Sequence, residues 1–219
     1  MNYPVADAHC DTAGLLVDNE KGRDYNFAGN NEWAHLDLPR LRMANVRWQF
    51  FALYIREEYC QEGALRYFAR LYAAFMQLIK EEPDHLHLIL HSDDLALPPS
   101  SEKIGALLTV EGGEVLEGEL AVLDLLFRLG VRSLGLTWNH QNHLATGVGV
   151  NRPGQGLTPF GSAVIRKMNN LKMLVDLAHL NEQGFREALL ISDAPVIVSH
   201  ANARSLCDHP RNLADWQIR

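Results

Sequence analysis

The sequence has few cysteines and no long hydrophobic run. Its three cysteines, Cys10, Cys60 and Cys207, are too few and too scattered over 219 residues for a disulfide scaffold or a structural zinc finger, so we expect free thiols. No segment reaches the ~18 consecutive apolar residues of a membrane-spanning helix. Residues 1–11 lack the basic and apolar regions of a signal peptide. We therefore expect a cytoplasmic protein without a membrane span.

Positive charge is also scarce. The chain has 20 Lys and Arg against 27 Asp and Glu, a net charge of −7, and no run of basic residues. Proteins that bind nucleic acids usually concentrate positive charge, so we expect no nucleic-acid partner. The hydrophobic fraction of 47% and the charged fraction of 21% are typical of a globular chain with a sizeable core.

Strand-like and helix-like segments alternate along the chain. Apolar and β-branched runs predict six strands, at residues 5–11, 45–55, 104–111, 131–138, 171–178 and 194–199. Helical periodicity and capping signals predict helices at residues 57–82, 115–129, 158–170 and 181–192, and the start of another at 211–219. A strand followed each time by a helix favours a parallel α/β architecture.

Such a sheet can form either an open doubly wound structure or a closed barrel. No Gly-x-Gly-x-x-Gly or P-loop pattern follows any predicted strand, which disfavours the nucleotide-binding version of the open sheet. A complete TIM (β/α)8 barrel typically needs ~250 residues. We expect residues 1–219 to form a single barrel domain with about six β/α units, lacking the last two. Either the chain is a fragment, or a partner segment completes the barrel.

Residue types that commonly bind metals lie where four predicted strands end. His9 and Asp11 end the first, Glu111 the third, His179 the fifth and His200 the sixth. Taken singly, each pattern is weak, because a strand-end His is often a hydrogen-bonded structural group and a strand-end Glu is often solvated or capping. The same spacings also recur elsewhere, in His85-Leu86-His87 and His91-Ser92-Asp93.

The set is more informative than its members. The carboxyl ends of barrel strands converge on one face, where active sites are built. Five N and O ligands without a thiolate suit a pair of divalent cations, Zn²⁺ first, with Mn²⁺ or Co²⁺ as alternatives. Glu111 is the natural bridging group between two ions, and a hydroxide held between them would be the nucleophile.

Segments across nearly the whole chain resemble the membrane dipeptidase (renal-type dipeptidase) family, metallopeptidases of the amidohydrolase barrel type. They are DAHCDT (7–12), LLTVEGGEVL (107–116), LGLTWNHQNHLATG (134–147), GLTPFG (156–161), LVDLAHL (174–180) and PVIVSHANARSLCDHPRNLAD (195–215). They occur in the family's order, which makes the resemblance specific. The implied fold is an amidohydrolase-type (β/α)8 barrel.

The resemblance also implies how the ligands are shared. It assigns His9 and Asp11 to one zinc ion and His179 and His200 to the other, with Glu111 bridging the two. It excludes His85, His87 and His91, which lie in a stretch that the family does not use for metal. It assigns Arg211 to the terminal carboxylate of the substrate, and a planar guanidinium pairs well with a carboxylate.

The sequence departs from the family at two places. Trp138 stands where the family often has a histidine that polarises the substrate. His140, or else His143, is the candidate to replace it, and a loop histidine without a ligand role is the alternative. The family also has an acidic residue at the end of strand eight, and the chain ends before that strand.

We therefore expect a zinc-dependent dipeptidase that hydrolyses one amide bond, with Glu111 and His140 catalytic and Arg211 and His140 binding the dipeptide. One alternative is another metal-dependent reaction of the amidohydrolase type, on an N-acyl-amino acid, a lactone or a phosphoester. A second is an inactive, truncated fold that binds metal or a partner. A homodimer is a family-level expectation.

Overall fold

A computed structural model describes residues 3–17, 25–96, 103–152 and 154–219. These residues form two compact units. The first unit consists of Met1–Tyr54 and Arg66–Thr109, and the second of Ile55–Leu65 and Val110–Arg219. Each unit contains parallel strands together with helices, so the predicted α/β class is confirmed.

The first unit contains the strands and helices of the N-terminal half. In chain order they are β1 (Val5–Asp7), α1 (Thr12–Val17), α2 (Leu38–Met43), β2 (Val46–Tyr54), most of α3 (Ala64–Glu81), β3 (Leu86–Leu88) and most of β4 (Ile104–Glu111). β1 runs parallel to β2, and β3 runs parallel to the first residues of β4. β3 is not among the predicted strands, because its three residues are too short a run for a hydrophobic pattern to identify.

Aromatic side chains fill the core of the first unit. Phe51 on β2 packs against Phe75 on α3, with ring centroids 5.3 Å apart, and against Phe27, at 6.2 Å. Phe51 and Phe75 are fully buried. Such rings bury large apolar areas, and their tilted packing adds to the stabilisation that area alone gives.

Asp37 begins helix α2 from a fully buried position. Its carboxylate accepts hydrogen bonds from the backbone amides of Arg40 and Asn31, and it forms an ion pair with the Arg40 guanidinium. Burial acts to raise the pKa of Asp37, but these hydrogen bonds and the Arg40 charge outweigh it and hold the pKa below its ordinary value.

The second unit contains the last residues of β4 and the elements of the C-terminal half. They are α4 (Leu120–Arg128), β5 (Val131–Gly135), α5 (Pro159–Leu171), β6 (Leu174–Asp176), α6 (Glu182–Ile191), β7 (Val196–Ile197) and α7 (Asp215–Ile218). β5, β6 and β7 are consecutive parallel neighbours. The Thr158 and Asn181 side chains cap α5 and α6 by accepting hydrogen bonds from Gly161 N and Gly184 N.

Several strands are shorter than the sequence predicts, because aspartate side chains end two of them. β1 stops at Asp7, whose Oδ1 accepts a hydrogen bond from the amide of His9. β6 stops at Asp176, whose Oδ1 accepts from the amide of Ala178. This local bonding to the residue two positions on replaces strand pairing. His9 therefore follows its strand instead of lying within it, and two further residues separate His179 from the end of β6.

Two predicted helices begin later than expected, because residues with positive φ interrupt the helical path. The prediction for 57–82 is corrected to a short 3-10 turn at Glu57–Tyr59 and then α3, separated by Gly63 at φ 89°. The prediction for 115–129 is corrected in the same way, with Gly118 at φ 80° before α4. The last helix begins at Asp215 and not at residue 211, after a loop.

The structure also bears on membrane insertion. None of the helices in the described ranges combines the length and the apolar character needed to cross a bilayer.

Candidate metal centre

Three predicted ligands meet in the second unit, and we call them the Glu111 cluster: Glu111, His179 and His200. The Nε2 atoms of His179 and His200 lie 3.1 and 3.6 Å from Glu111 Oε1. The two Nε2 atoms lie 2.9 Å apart. Glu111 is 8% exposed and His179 is 9% exposed, whereas the His200 side chain is 33% exposed, so two of the three members are buried.

Asn139 and the backbone hold His179 in an unusual conformation. Its Nδ1 lies 2.8 Å from Asn139 Oδ1, and its carbonyl accepts a hydrogen bond from Val148 N. The residue has φ 65°, in the left-handed region that residues other than glycine rarely adopt. Such conformations cost ~1–3 kcal/mol and cluster at functional sites, where surrounding contacts hold them.

The bond to Asn139 also sets the proton on the His179 ring. A neutral imidazole that donates its Nδ1 proton to the amide oxygen has a lone pair on Nε2. That lone pair then points at the Glu111 carboxylate and at His200 Nε2. This kind of outer bond is typical of histidines that bind metals.

His200 is positioned through its neighbours in the loop after β7. Its Nδ1 lies 2.9 Å from Ser199 Oγ, and the amide of Ser199 donates to Asp176 Oδ1. Asp176 therefore ties together the ends of β6 and β7, since the same oxygen accepts from Ala178 N. Arg211 donates to the carbonyl oxygen of His200 at 2.6 Å.

The chemistry of the Glu111 cluster fits a divalent cation. Two imidazole nitrogens 2.9 Å apart and a carboxylate oxygen 3.1 and 3.6 Å from them are donor atoms that can converge on one cation. An N, N, O donor set with little water suits Zn²⁺ and similar borderline ions.

His9 and Asp11, the other two predicted ligands, form a pair within the first unit. His9 Nε2 lies 3.4 Å from Asp11 Oδ1. Burial raises the pKa of Cys10, which lies between them in sequence, to about 12. The Cys10 thiol is therefore protonated at neutral pH, and Cys10 is a free cysteine, as predicted.

His140 lies outside the Glu111 cluster. Its Nε2 lies 2.8 Å from Glu57 Oε1, and both side chains are more than half exposed. The Trp138 ring contacts both histidine rings, with centroids 5.5 Å from His140 and 6.0 Å from His179. Trp138 therefore lies beside the cluster at the position where the family often has histidine.

Arg211 is partly buried beside the Glu111 cluster. Burial lowers the pKa of its guanidinium, and the charges of Glu111 and Asp176 act in the opposite direction. The contact to the His200 carbonyl uses one of its five N–H donors.

The three histidines that the resemblance excludes have local partners in the first unit. His85 Nδ1 lies 3.1 Å from an Arg42 nitrogen, and His87 Nε2 lies 3.8 Å from Asp94 Oδ1. The backbone amide of His91 donates to Asp94 Oδ2.

Sequence reasoning missed Asn139 and Asp176. Both lie near a predicted site residue, Asp176 three residues before His179 and Asn139 next to His140. A carboxylate so close to a strand-end histidine was the available signal for Asp176. Asn139 had no comparable signal, since asparagine is common in loops.

Comparison with known proteins places the chain in a family. The model of the family described as membrane dipeptidase (peptidase family M19) matches residues 1–219. The chain belongs to the membrane dipeptidase family. Mouse (Mus musculus) dipeptidase 3 is 32% identical to it over 227 residues, covering 98% of this chain and 44% of the mouse protein. An uncharacterized dipeptidase of Schizosaccharomyces pombe is 29% identical, covering 98% of this chain and 56% of the yeast protein.

Solved structures of two metallo peptidases have the same fold. A metallo peptidase from Rhodobacter sphaeroides, liganded with a phosphinate mimic of the dipeptide L-Ala-D-Ala, superposes with a TM-score of 0.88 at 26% identity, over 98% of this chain and 70% of that one. Dipeptidase AC, a metallo peptidase of family M19, gives a TM-score of 0.89 at 26% identity, over 100% of this chain and 70% of that one. The predicted family and the predicted amidohydrolase barrel class are thus confirmed. The chain spans about half the length of the two curated relatives and 70% of the two solved ones.

Proposed function

We propose that the chain is the catalytic part of a zinc-dependent dipeptidase. The observation that supports this most is the convergence of Glu111, His179 and His200. Membership of the membrane dipeptidase family and the dipeptide mimic bound to the Rhodobacter relative add to it.

In this proposal the Glu111 cluster provides ligands for metal, with His9 and Asp11 as the further ligands predicted from the sequence. Divalent cations held by these residues would polarise the scissile carbonyl and lower the pKa of a water molecule. Asn139 keeps the lone pair of His179 directed at the site, and Asp176 holds the strand ends that carry both histidines. Low exposure strengthens the electrostatic interactions there.

Arg211 and His140 are the proposed substrate-binding residues. The other N–H donors of the Arg211 guanidinium would pair with the terminal carboxylate of the dipeptide, which favours short substrates with a free C-terminus. His140 would approach the substrate from the side of Trp138, and its bond to Glu57 would orient its ring. Four expectations from the sequence stay predictions: two zinc ions, a single domain over residues 1–219, a homodimer and a cytoplasmic location.

Substitution of Glu111 by Ala tests the proposal. We expect the wild-type protein to bind zinc and to hydrolyse L-Ala-D-Ala and L-Ala-L-Ala. Glu111→Ala removes the shared carboxylate, so zinc content should fall and turnover should drop at least ~100-fold. Zinc would be counted by plasma mass spectrometry after dialysis, and turnover measured by release of free amino acid.

His87→Ala is the matched control, because His87 is an excluded histidine of the first unit with a single carboxylate neighbour. It should leave zinc content and turnover within ~2-fold of wild type. Undiminished zinc and turnover in Glu111→Ala would contradict the proposal. Zinc binding by the wild type without hydrolysis of any dipeptide would support the inactive alternative.

A further inference from the structure

A cavity of about 640 Å³ lies in the second unit, beside the Glu111 cluster. Its lining includes the turn after β4, the loop that carries His140, and the segment around the 3-10 turn Glu57–Tyr59. A volume of this size is within the ~300–1,000 Å³ of small-molecule pockets, and far exceeds the ~30 Å³ of one water molecule.

The cavity is strongly acidic. Four glutamates line it: Glu57, Glu62, Glu114 and Glu117. No lysine or arginine is among the described residues that line it. Two of these carboxylates have partners, since Glu57 bonds to His140 and Glu117 accepts from Leu65 N. The remaining negative charge favours a cationic ligand.

Glu114 is the carboxylate that most needs a ligand. It is 7% exposed, and its Oε2 has no hydrogen-bond partner among the described residues. Leaving a buried polar oxygen unsatisfied is costly, and such exceptions in a native structure call for an explanation. Burial also raises the pKa of Glu114, and a cation beside the carboxyl would oppose that effect.

Glu114 is anchored close to the Glu111 cluster. A methyl group added to Gly112, the residue after Glu111, would lie 2.6 Å from Glu114 Oε2. Glu114 Oε2 therefore packs against the backbone next to Glu111, and the residue Glu114 lines the cavity. His140 lines the cavity, and Trp138 links it to His179 through ring contacts.

Arg211 and the cavity lie at opposite ends of a series of contacts. Arg211 contacts His200, His200 contacts His179, His179 contacts Trp138, and Trp138 contacts His140 at the cavity. A dipeptide whose carboxylate is held by Arg211 would extend its N-terminal residue toward the cavity.

We propose that this cavity binds the cationic side chain of an N-terminal Arg or Lys, so that the enzyme prefers dipeptides with a basic first residue. The inference rests on the proposed function. An ammonium or guanidinium group would donate to Glu114 Oε2 and satisfy the buried oxygen. The cavity is large enough for the whole side chain, which argues against a role limited to the α-ammonium group.

Kinetics with matched substrates test this preference. We would measure kcat/KM for Arg-Gly and citrulline-Gly, which are nearly isosteric and differ in charge, and for Lys-Gly and norleucine-Gly. We expect kcat/KM to be at least ~10-fold higher for the basic member of each pair, because a hydrogen bond to a charged group usually has an effect of this size. Glu114→Gln should reduce the ratio of kcat/KM between the basic and the neutral substrate of each pair at least ~5-fold. Glu62→Gln, at an exposed position, should reduce this ratio less.

Glu119→Gln is the control, because Glu119 is exposed and lies outside the cavity lining. It should leave the ratio at the wild-type value. Equal kcat/KM for the members of both pairs, or an unchanged ratio in both cavity variants, would overturn the assignment.

Calorimetry separates this inference from the proposed function. Arg-Gly and citrulline-Gly would be titrated into the metal-free wild type and into Glu114→Gln. If no dipeptide is hydrolysed but Arg-Gly binds at least ~10-fold tighter, and Glu114→Gln removes the difference, the cavity assignment holds and the proposed dipeptidase function fails. If the two bind equally, the cavity assignment fails whatever the turnover.

Discussion

Asn139 acts on the Glu111 cluster without belonging to it. Its Oδ1 is the acceptor beside His179 Nδ1. We expect Asn139→Ala to weaken zinc binding ~10- to 100-fold, because loss of such outer bonds usually has this effect on metal affinity. Competition with a chromogenic chelator would measure the affinity.

The conservative variant distinguishes positioning from general damage. Asn139→Asp keeps an acceptor oxygen at the same place, so zinc affinity should return to within ~5-fold of wild type. Unchanged affinity in Asn139→Ala would show that His179 needs no partner at Nδ1. An equal loss in both variants would point to damage of the loop.

Arg211 should distinguish substrates by their C-terminus. We expect Arg211→Met to lower kcat/KM for dipeptides ~10- to 150-fold, the range for loss of hydrogen bonds to a charged group. Dipeptide amides, which lack the terminal carboxylate, should change less than ~3-fold. Rates for each dipeptide and its amide would be compared.

Arg166→Met serves as the control, since Arg166 lies on the exposed face of α5. It should change neither class of substrate. Equal losses for dipeptides and their amides in Arg211→Met would mean that Arg211 acts only by holding the His200 loop, through the contact to the His200 carbonyl.

Part of the site was predictable residue by residue. Glu111, His179 and His200 could be found because parallel strands deliver their carboxyl ends to one face. The role of Asn139 depends on a loop conformation that no periodic pattern encodes. Its carbonyl, for example, accepts from Gly149 N ten residues later. The same holds for the pairing of His140 with Glu57, which are 83 residues apart.

At the scale of elements, the longer strands and helices were predictable from the sequence, but most of their end residues were not. β4 has the predicted bounds because all eight of its residues are buried and apolar patterning covers its full length. β7 retains only two residues of its predicted six, since the chain turns early to bond with Asp176. Side-chain bonds of this kind override strand propensity locally.

Asp37 makes the start of α2 sensitive to acid. The folded-state pKa of Asp37 is below its ordinary value. Its ionised carboxylate therefore stabilises the folded protein above the unfolded pKa of ~3.9, and this stabilisation is lost as the pH falls through the folded pKa. We expect Asp37→Asn to lower the free energy of unfolding by about 2–4 kcal/mol at pH 7. The difference from wild type should shrink below pH ~4. Urea unfolding at several pH values would measure it.

Asp193→Asn is the comparison, because Asp193 is exposed. Its effect should stay within ~0.5 kcal/mol at every pH. A difference between Asp37→Asn and wild type that stays constant down to pH 2 would contradict the role of the Asp37 charge.

At the scale of the whole molecule, bound metal should raise thermal stability. A ligand at ~1,000 times its Kd stabilises the folded state by ~4 kcal/mol, and each kcal/mol shifts the Tm of a chain of this size by ~2–4 °C. We therefore expect saturating Zn²⁺ to raise the Tm of chelator-treated protein by ~8–16 °C. Differential scanning calorimetry would follow the transition.

The double variant His179→Ala, His200→Ala provides the reference. Without these ligands the rise with Zn²⁺ should fall to less than half of the wild-type value. A Tm that Zn²⁺ leaves unchanged in the wild type, or raises equally in the double variant, would argue against metal binding at the Glu111 cluster.

Asp176 has one oxygen that accepts from two backbone amides, one just after β6 and one just after β7. Any replacement without that oxygen would leave both amides unsatisfied at once, and asparagine could serve them only with a weaker neutral acceptor. In a saturation mutagenesis library selected for activity, position 176 should therefore tolerate as few replacements as the proposed metal ligands.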